Sequence, residues 1–96
     1  MRWEEGDLHG RHVAKASGAS ASIEWDLVGP CNERVRVRDY TCDCQSVFYE
    51  LCQAGGQRYI RRTTRKGGRV VVEESVRIAA SKTDVLWALL LQGDAR

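Results

Sequence analysis

The chain has 96 residues, 43% of them hydrophobic and 29% charged, and its formal net charge is +2 at pH 7. This length supports one small domain with a single modest core, and so small a charge does not indicate attraction of the whole protein to nucleic acid or membrane. No run approaches the roughly eighteen apolar residues of a membrane span, and the polar N-terminus lacks the apolar stretch of a secretory signal. We therefore expect a cytoplasmic protein whose four cysteines are reduced.

The predicted organisation is one domain preceded by a short arm. Residues 1–16 carry scattered apolar positions and are predicted to form an N-terminal arm or one short strand. Residues 17–22 are small and polar, which is typical of a linker. Residues 23–96 are predicted to form an α+β domain, in which an antiparallel β-meander of about five strands is closed by one C-terminal helix.

The first predicted hairpin joins residues 23–27 to residues 34–38. In both runs apolar and charged residues alternate with period two, and the Gly-Pro segment between them favours a turn. One register places apolar residues opposite apolar residues and acids opposite arginines, which favours it over the others. Its opposed pairs are Trp25–Val35, Ile23–Val37, Glu24–Arg36 and Asp26–Arg34.

The second predicted hairpin turns at Gly55-Gly56. Residues 47–52 fit either a helical stripe or a strand, and the β-rich sequence on both sides favours the strand. A type I′ turn at the two glycines then sets the register. Its opposed pairs include Leu51–Ile60 and Glu50–Arg61.

Two further strands are predicted at residues 57–64 and 69–78, joined by a turn at residues 66–68. The register that opposes Thr64 with Val70 also brings Arg61 beside Glu73, as charge pairing favours. The positions predicted to point inward on the last strand are Val70, Val72, Val76 and Ile78.

A C-terminal helix is predicted from Ser81 to a stop at Gly93. Ser81 is a suitable N-cap, Asp84 at the third helical position favours the dipole, and glycine commonly ends a helix. One broad apolar face is predicted to lie on the sheet; it consists of Val85, Leu86, Leu89 and Leu90. Trp87 and Leu91 fall on the opposite side, where we expect an interface, most simply with a second copy of the chain.

The cysteines are the first candidates for chemistry, because Cys42 and Cys44 form a C-x-C pair. On an extended strand their sulfurs would lie about 6–7 Å apart, too far for a tetrahedral site, so we predict no stoichiometric zinc and no cofactor. The alternative is a zinc-stabilised domain with ligands Cys31, Cys42, Cys44 and Cys52. His9 and His12 would share a face on a helix and could join such cysteines.

A basic stretch between residues 58 and 69 indicates a second candidate site. It holds no acid and includes one tyrosine, a combination typical of single-strand nucleic-acid binders. The residues concerned are Arg58, Tyr59, Arg62, Arg65, Lys66 and Arg69. Strands followed by a terminal helix also resemble, in architecture alone, the ββββα units of Whirly and PUR single-strand binders.

No G-x-S-x-G, Walker or Rossmann pattern occurs in the sequence. The carboxylates of Glu73 and Glu74 would point to opposite faces of a strand, so they form no catalytic pair. We therefore predict a small intracellular non-catalytic binding protein, a homodimeric regulatory or adaptor module whose partner is itself or another protein. The alternatives are a single-stranded nucleic-acid binder and the zinc-stabilised domain, and no membrane partner is expected.

Overall fold

The structure is a computed structural model that describes residues 11–18, 20–28, 35–42 and 44–96. Within these residues six strands form one antiparallel sheet, followed by a helix, α1 (Ala80–Gln92). The strands are β1 (Asp26–Leu27), β2 (Arg36–Tyr40), β3 (Val47–Ala54), β4 (Gln57–Lys66), β5 (Arg69–Glu74) and β6 (Ile78–Ala79). The predicted α+β class, an antiparallel sheet with one C-terminal helix, is confirmed. The described part of the chain has no helix of the length and apolarity that a membrane crossing needs.

The sheet order is β1-β5-β4-β3-β2, with β6 also paired to β4. The predicted hairpin between residues 23–27 and 34–38 is therefore wrong, because β1 and β2 lie at opposite edges of the sheet. β1 lies opposite Glu73 and Glu74, and β2 pairs with β3. Alternation shows which side chains share a face, but it does not identify the neighbouring strand. Trp25, next to β1, still packs against the hydrophobic core, although it does not lie opposite Val35 as predicted.

The β3–β4 hairpin has the predicted register. Leu51 lies opposite Ile60, and residues 47–54 form a strand rather than a helix. The turn differs in type, since of its two glycines Gly55 has a positive φ, of 62°, and Gly56 does not, whereas a type I′ turn requires positive φ at both central residues.

The β4–β5 register is one residue away from the predicted one. Thr64 lies opposite Val71 rather than Val70. Gly67 and Gly68 both have positive φ, 58° and 77°, so they form a two-residue type I′ turn, whereas the predicted register would need a three-residue loop.

This shift moves Val70 and Val72 to the other face of the sheet and brings Val71 opposite Thr64. Val70 and Val76, which were predicted to point inward, are each 62% exposed. β5 ends before Val76, because Ser75 bonds Ile60 twice: its N–H donates to the Ile60 carbonyl and its hydroxyl accepts from the Ile60 N–H. The other two predicted inward positions, Val72 and Ile78, are half-buried.

The start of α1 is set by the sheet rather than by a side-chain cap. The N-cap is Ala79, which makes no side-chain cap bond, so the prediction of Ser81 as N-cap is wrong. β6 ends at Ala79, where its pairing with β4 fixes the entry of the chain into α1. Thr83 in the first turn is fully buried, and its hydroxyl donates to the Arg58 carbonyl. The predicted stop at Gly93, with a left-handed φ of 85°, is confirmed.

The helix is rotated relative to the predicted orientation. Its buried residues are Thr83, Trp87 and Leu90, spaced by four and three along one face. Val85, predicted to be buried, is 61% exposed, and Trp87, predicted to face outward, is 5% exposed. Because nearly every residue from 85 to 91 is apolar, the sequence pattern does not show which face of the helix is buried. Thr83 is polar, so hydrophobicity does not identify it as a buried residue either.

Trp87 belongs to the core of its own chain. It clusters with Tyr49, Leu51, Ile60 and Leu90, and partly buried Leu86 and Leu91 pack against this cluster. Its indole N–H donates to Asp39 Oδ2 at 3.0 Å, which satisfies the polar atom of a buried tryptophan. An interface formed by exposed Trp87 and Leu91 therefore loses its structural premise.

The described residues between positions 14 and 23 lie against the C-terminal end of α1 and the residues that follow it. The N–H of Ala14 donates to the Leu91 carbonyl at 2.9 Å, and the N–H of Ser17 donates to the Gly93 carbonyl at 2.7 Å. Ala21 then forms a parallel bridge with Ala95. These backbone bonds position the segment that carries His12.

Candidate metal centre

Three metal-binding side chains meet at the surface beside the end of β2. One ligand atom from each of His12, Cys42 and Cys44 lies within 4.8 Å of the other two, and His12 Nε2 is 3.1 Å from Cys44 Sγ. With Zn–S near 2.3 Å and Zn–N near 2.0–2.1 Å, the donors of a tetrahedral zinc site lie about 3.5–3.8 Å apart. Shifts of about an ångström would therefore place a zinc ion among the three donors.

Backbone and ionic contacts hold the two halves of this site together. The N–H of Cys42 donates to the carbonyl of Arg11 at 2.8 Å, and the Arg11 guanidinium lies 3.4 Å from Asp39 Oδ2. Since Arg11 precedes His12 directly, these contacts place the imidazole next to the cysteines. Thr41 anchors the other half to β3, because the Tyr49 N–H donates to its hydroxyl at 2.9 Å.

The C-x-C pair does not lie on a strand. β2 ends at Tyr40, and Cys44 lies in a turn. The Cys44 N–H donates to Cys42 Sγ at 3.4 Å, and the Gln45 amide donates to Cys44 Sγ at 3.7 Å. Such bonds stabilise negative charge on sulfur and orient metal ligands. Cys42 and Cys44 therefore lack the extended-strand geometry that led us to predict no zinc.

The site is partly open to solvent. Cys42 is 6% exposed, whereas Cys44 and His12 are exposed. The hydrogen bond with Cys42 raises the pKa of Cys44 above its ordinary value of 9.0. Because zinc binds the thiolate, metal binding at neutral pH would release protons from these thiols.

The predicted four-cysteine set is wrong in one member. Cys52 is fully buried in a separate cluster with Ala54 and Tyr59, away from the His12 site, and Cys31 lies outside the described residues, as does His9. The sequence signal for His12 was its proximity to His9, which would matter on a helix, and residues 11–17 are not helical. Tertiary folding instead brings His12 to the cysteines.

Burial of Cys52 and Tyr59 makes both groups harder to ionise. Burial raises the pKa of Cys52 to about 11 and the pKa of Tyr59 to about 12, from ordinary values of 9.0 and 10.0. Arg77 covers the Tyr59 ring, with its guanidinium carbon 4.4 Å from the ring centroid. Cys52 is therefore an inert, protonated thiol at neutral pH.

These shifts predict a loss of stability in alkali. Both groups are neutral when protonated and are held protonated more strongly in the folded state, so their contribution is complete below about pH 9 and is lost as pH rises through 11 and 12. Urea unfolding at pH 8 and pH 10.5 should give a lower free energy of unfolding at the higher pH. Cys52→Ala should show a smaller drop, and an equal drop in both proteins would contradict the assignment to Cys52.

The predicted nucleic-acid residues do not form one basic face. Tyr59 is 1% exposed. Arg58 bonds Asp84 at 2.7 Å, and Arg62 bonds Glu73 at 2.7 Å while lying over the Trp25 ring. The remaining three predicted residues are exposed near the β4–β5 turn: Arg65, Lys66 and Arg69. Arg65 also donates to the Gln45 carbonyl at 3.2 Å and lies over the Phe48 ring, so four of the six predicted residues are engaged within the domain.

No protein-family model matches the chain, and no curated protein or solved structure is significantly similar to it. The fold and the site themselves therefore define the class: a small α+β domain with a His-Cys-Cys cluster that links its N-terminal segment to the β2–β3 connection.

Proposed function

We propose that this chain is a small zinc-binding domain that acts by binding rather than by catalysis. The observation that carries the proposal is the convergence of His12, Cys42 and Cys44, whose donor atoms all lie within 4.8 Å of one another. Two thiolates and one imidazole form a donor set that suits zinc, because zinc accepts sulfur and nitrogen ligands in tetrahedral geometry.

A zinc ion at this position would join two segments that are far apart in sequence. His12 and Cys44 are 32 residues apart, and the contacts between the described parts of their segments include one backbone hydrogen bond and one ion pair. An ion that binds only the folded state stabilises it by about 2.7 kcal/mol at a hundred times its Kd. A bound zinc ion would therefore hold the N-terminal segment against the residues that follow β2.

The other candidate functions have less support in the described residues than the zinc site has. Homodimerisation was inferred from an outward-facing Trp87, and this side chain is buried in its own core. Nucleic-acid binding was inferred from a basic stretch in which Arg58 and Arg62 form ion pairs with acids.

Metal analysis tests the zinc proposal directly. Protein purified under reducing conditions and supplied with zinc should hold about one ion per chain by elemental analysis. His12→Ala, Cys42→Ser and Cys44→Ser should each lose most of it, because two remaining ligands bind zinc weakly. A chelator should lower the thermal midpoint of the wild type and leave that of the variants unchanged.

Cys52→Ala is the matched control, since Cys52 is a thiol of the same domain that lies in another cluster. It should retain the metal even if it is less stable. A wild-type protein that takes up no zinc with its thiols reduced, or a Cys52→Ala protein that loses zinc as Cys42→Ser does, would contradict the proposal.

A further inference from the structure

A cleft of about 530 Å³ opens beside the candidate metal centre. His12 and Cys42 form part of its wall, so two of the three metal-binding residues face the same space. A volume of a few hundred cubic ångströms is typical of sites that hold small molecules. The cleft therefore offers room for a ligand in contact with a bound ion.

The donors that the described residues supply leave one position of a tetrahedral zinc ion for such a ligand. The described residues supply three donors, whereas zinc takes four in tetrahedral geometry. Zinc sites with three protein ligands keep the fourth position for water or an exchangeable molecule. Because His12 and Cys42 line the cleft, a molecule within it can reach that position.

The charges of the cleft indicate an anionic ligand. Its described lining includes two cationic side chains, Lys15 and Arg96, and no aspartate or glutamate. The Arg96 guanidinium donates to the carbonyls of Leu90 and Ala95. Lys15 is exposed, three residues after His12, and is free to approach a ligand bound beside the imidazole.

The rest of the wall indicates a ligand with an apolar body. Val13, Val47 and Tyr49 line the same cleft, and Gln45 and Ser46 add hydrogen-bonding groups to its lining. A carboxylate can bind zinc through one oxygen and accept a hydrogen bond from an ammonium group through the other. A short hydrocarbon chain would then cover the valines.

We propose that the cleft binds a small monocarboxylate with a short apolar chain, whose carboxylate occupies the fourth metal position and pairs with Lys15. This inference rests on the proposed zinc site. The hydrocarbon chain lies against Val13 and Val47. A neutral amide of the same length has no carboxylate to bind the metal and pair with Lys15, so it binds far more weakly.

Cobalt-substituted protein and sodium hexanoate test the proposal, because the visible absorption of Co²⁺ reports a change in its ligands. Hexanoate should change the spectrum in a saturable way at constant ionic strength, and hexanamide should leave it unchanged. Lys15→Gln should bind Co²⁺ as the wild type does but weaken hexanoate binding about three- to tenfold. Lys82→Gln, which changes an exposed lysine on α1, is the matched control and should behave as the wild type.

The outcomes separate the two proposals. If Co²⁺ binds but hexanoate does not alter its spectrum, the monocarboxylate site is wrong and the metal site stands. If Lys15→Gln and Lys82→Gln bind hexanoate equally well, the pairing with Lys15 is wrong. If no Co²⁺ binds at His12, Cys42 and Cys44, the zinc proposal fails and the ligand proposal falls with it.

Discussion

Replacing Leu90 by alanine should lower the free energy of unfolding by about 2–5 kcal/mol. Leu90 is fully buried, and it belongs to the cluster in which α1 packs on the sheet through Tyr49, Leu51 and Ile60. Removing its branched end leaves a cavity that the sheet cannot fill, so the cost includes lost transfer energy and lost contacts.

Val85→Ala is the matched control for this measurement. Val85 lies on the same helix but is 61% exposed, so the substitution should change the free energy of unfolding by less than about 1 kcal/mol. Urea unfolding of the two variants measures the difference. Equal losses would show that the helix packs on the sheet through the face that contains Val85.

Gly93→Ala should cost about 2–4 kcal/mol, for two additive reasons. Gly93 has a φ of 85°, and a non-glycine residue in this left-handed region costs about 1–2 kcal/mol. A Cβ at this position would also overlap the carbonyl oxygen of Lys15, so the N-terminal segment would have to move away from the end of α1.

Gly68→Ala separates these two contributions. Gly68 has a similar φ of 77°, but an added Cβ there meets no atom within 4 Å. Its cost should therefore be the conformational part alone, about 1–2 kcal/mol. Thermal or urea unfolding of both variants gives the comparison. If Gly68→Ala is as damaging as Gly93→Ala, close packing of residue 15 on residue 93 is not important for stability.

Only part of the candidate metal centre could be predicted from the sequence. The C-x-C pair was recognisable, but its interpretation depended on whether Cys42 and Cys44 lie on a strand or in a turn, and this is a local conformation that spacing does not determine. His12 could not be assigned to the pair, since its 32-residue separation from Cys44 is bridged only by the docking of the N-terminal segment. The cleft exists only where that segment, the β2–β3 connection and the C-terminus meet.

The sequence by itself determined the features that depend on neighbouring residues. The Gly55-Gly56 turn and the alternation around it specified the β3–β4 register, and Gly93 specified the end of α1. The tertiary structure decided the partner of β1 and the buried face of α1, because these depend on which surfaces meet across the domain. Backbone geometry constrains a turn within a few residues, whereas sheet order and helix rotation follow from the burial of the whole apolar surface, which no short window of sequence contains.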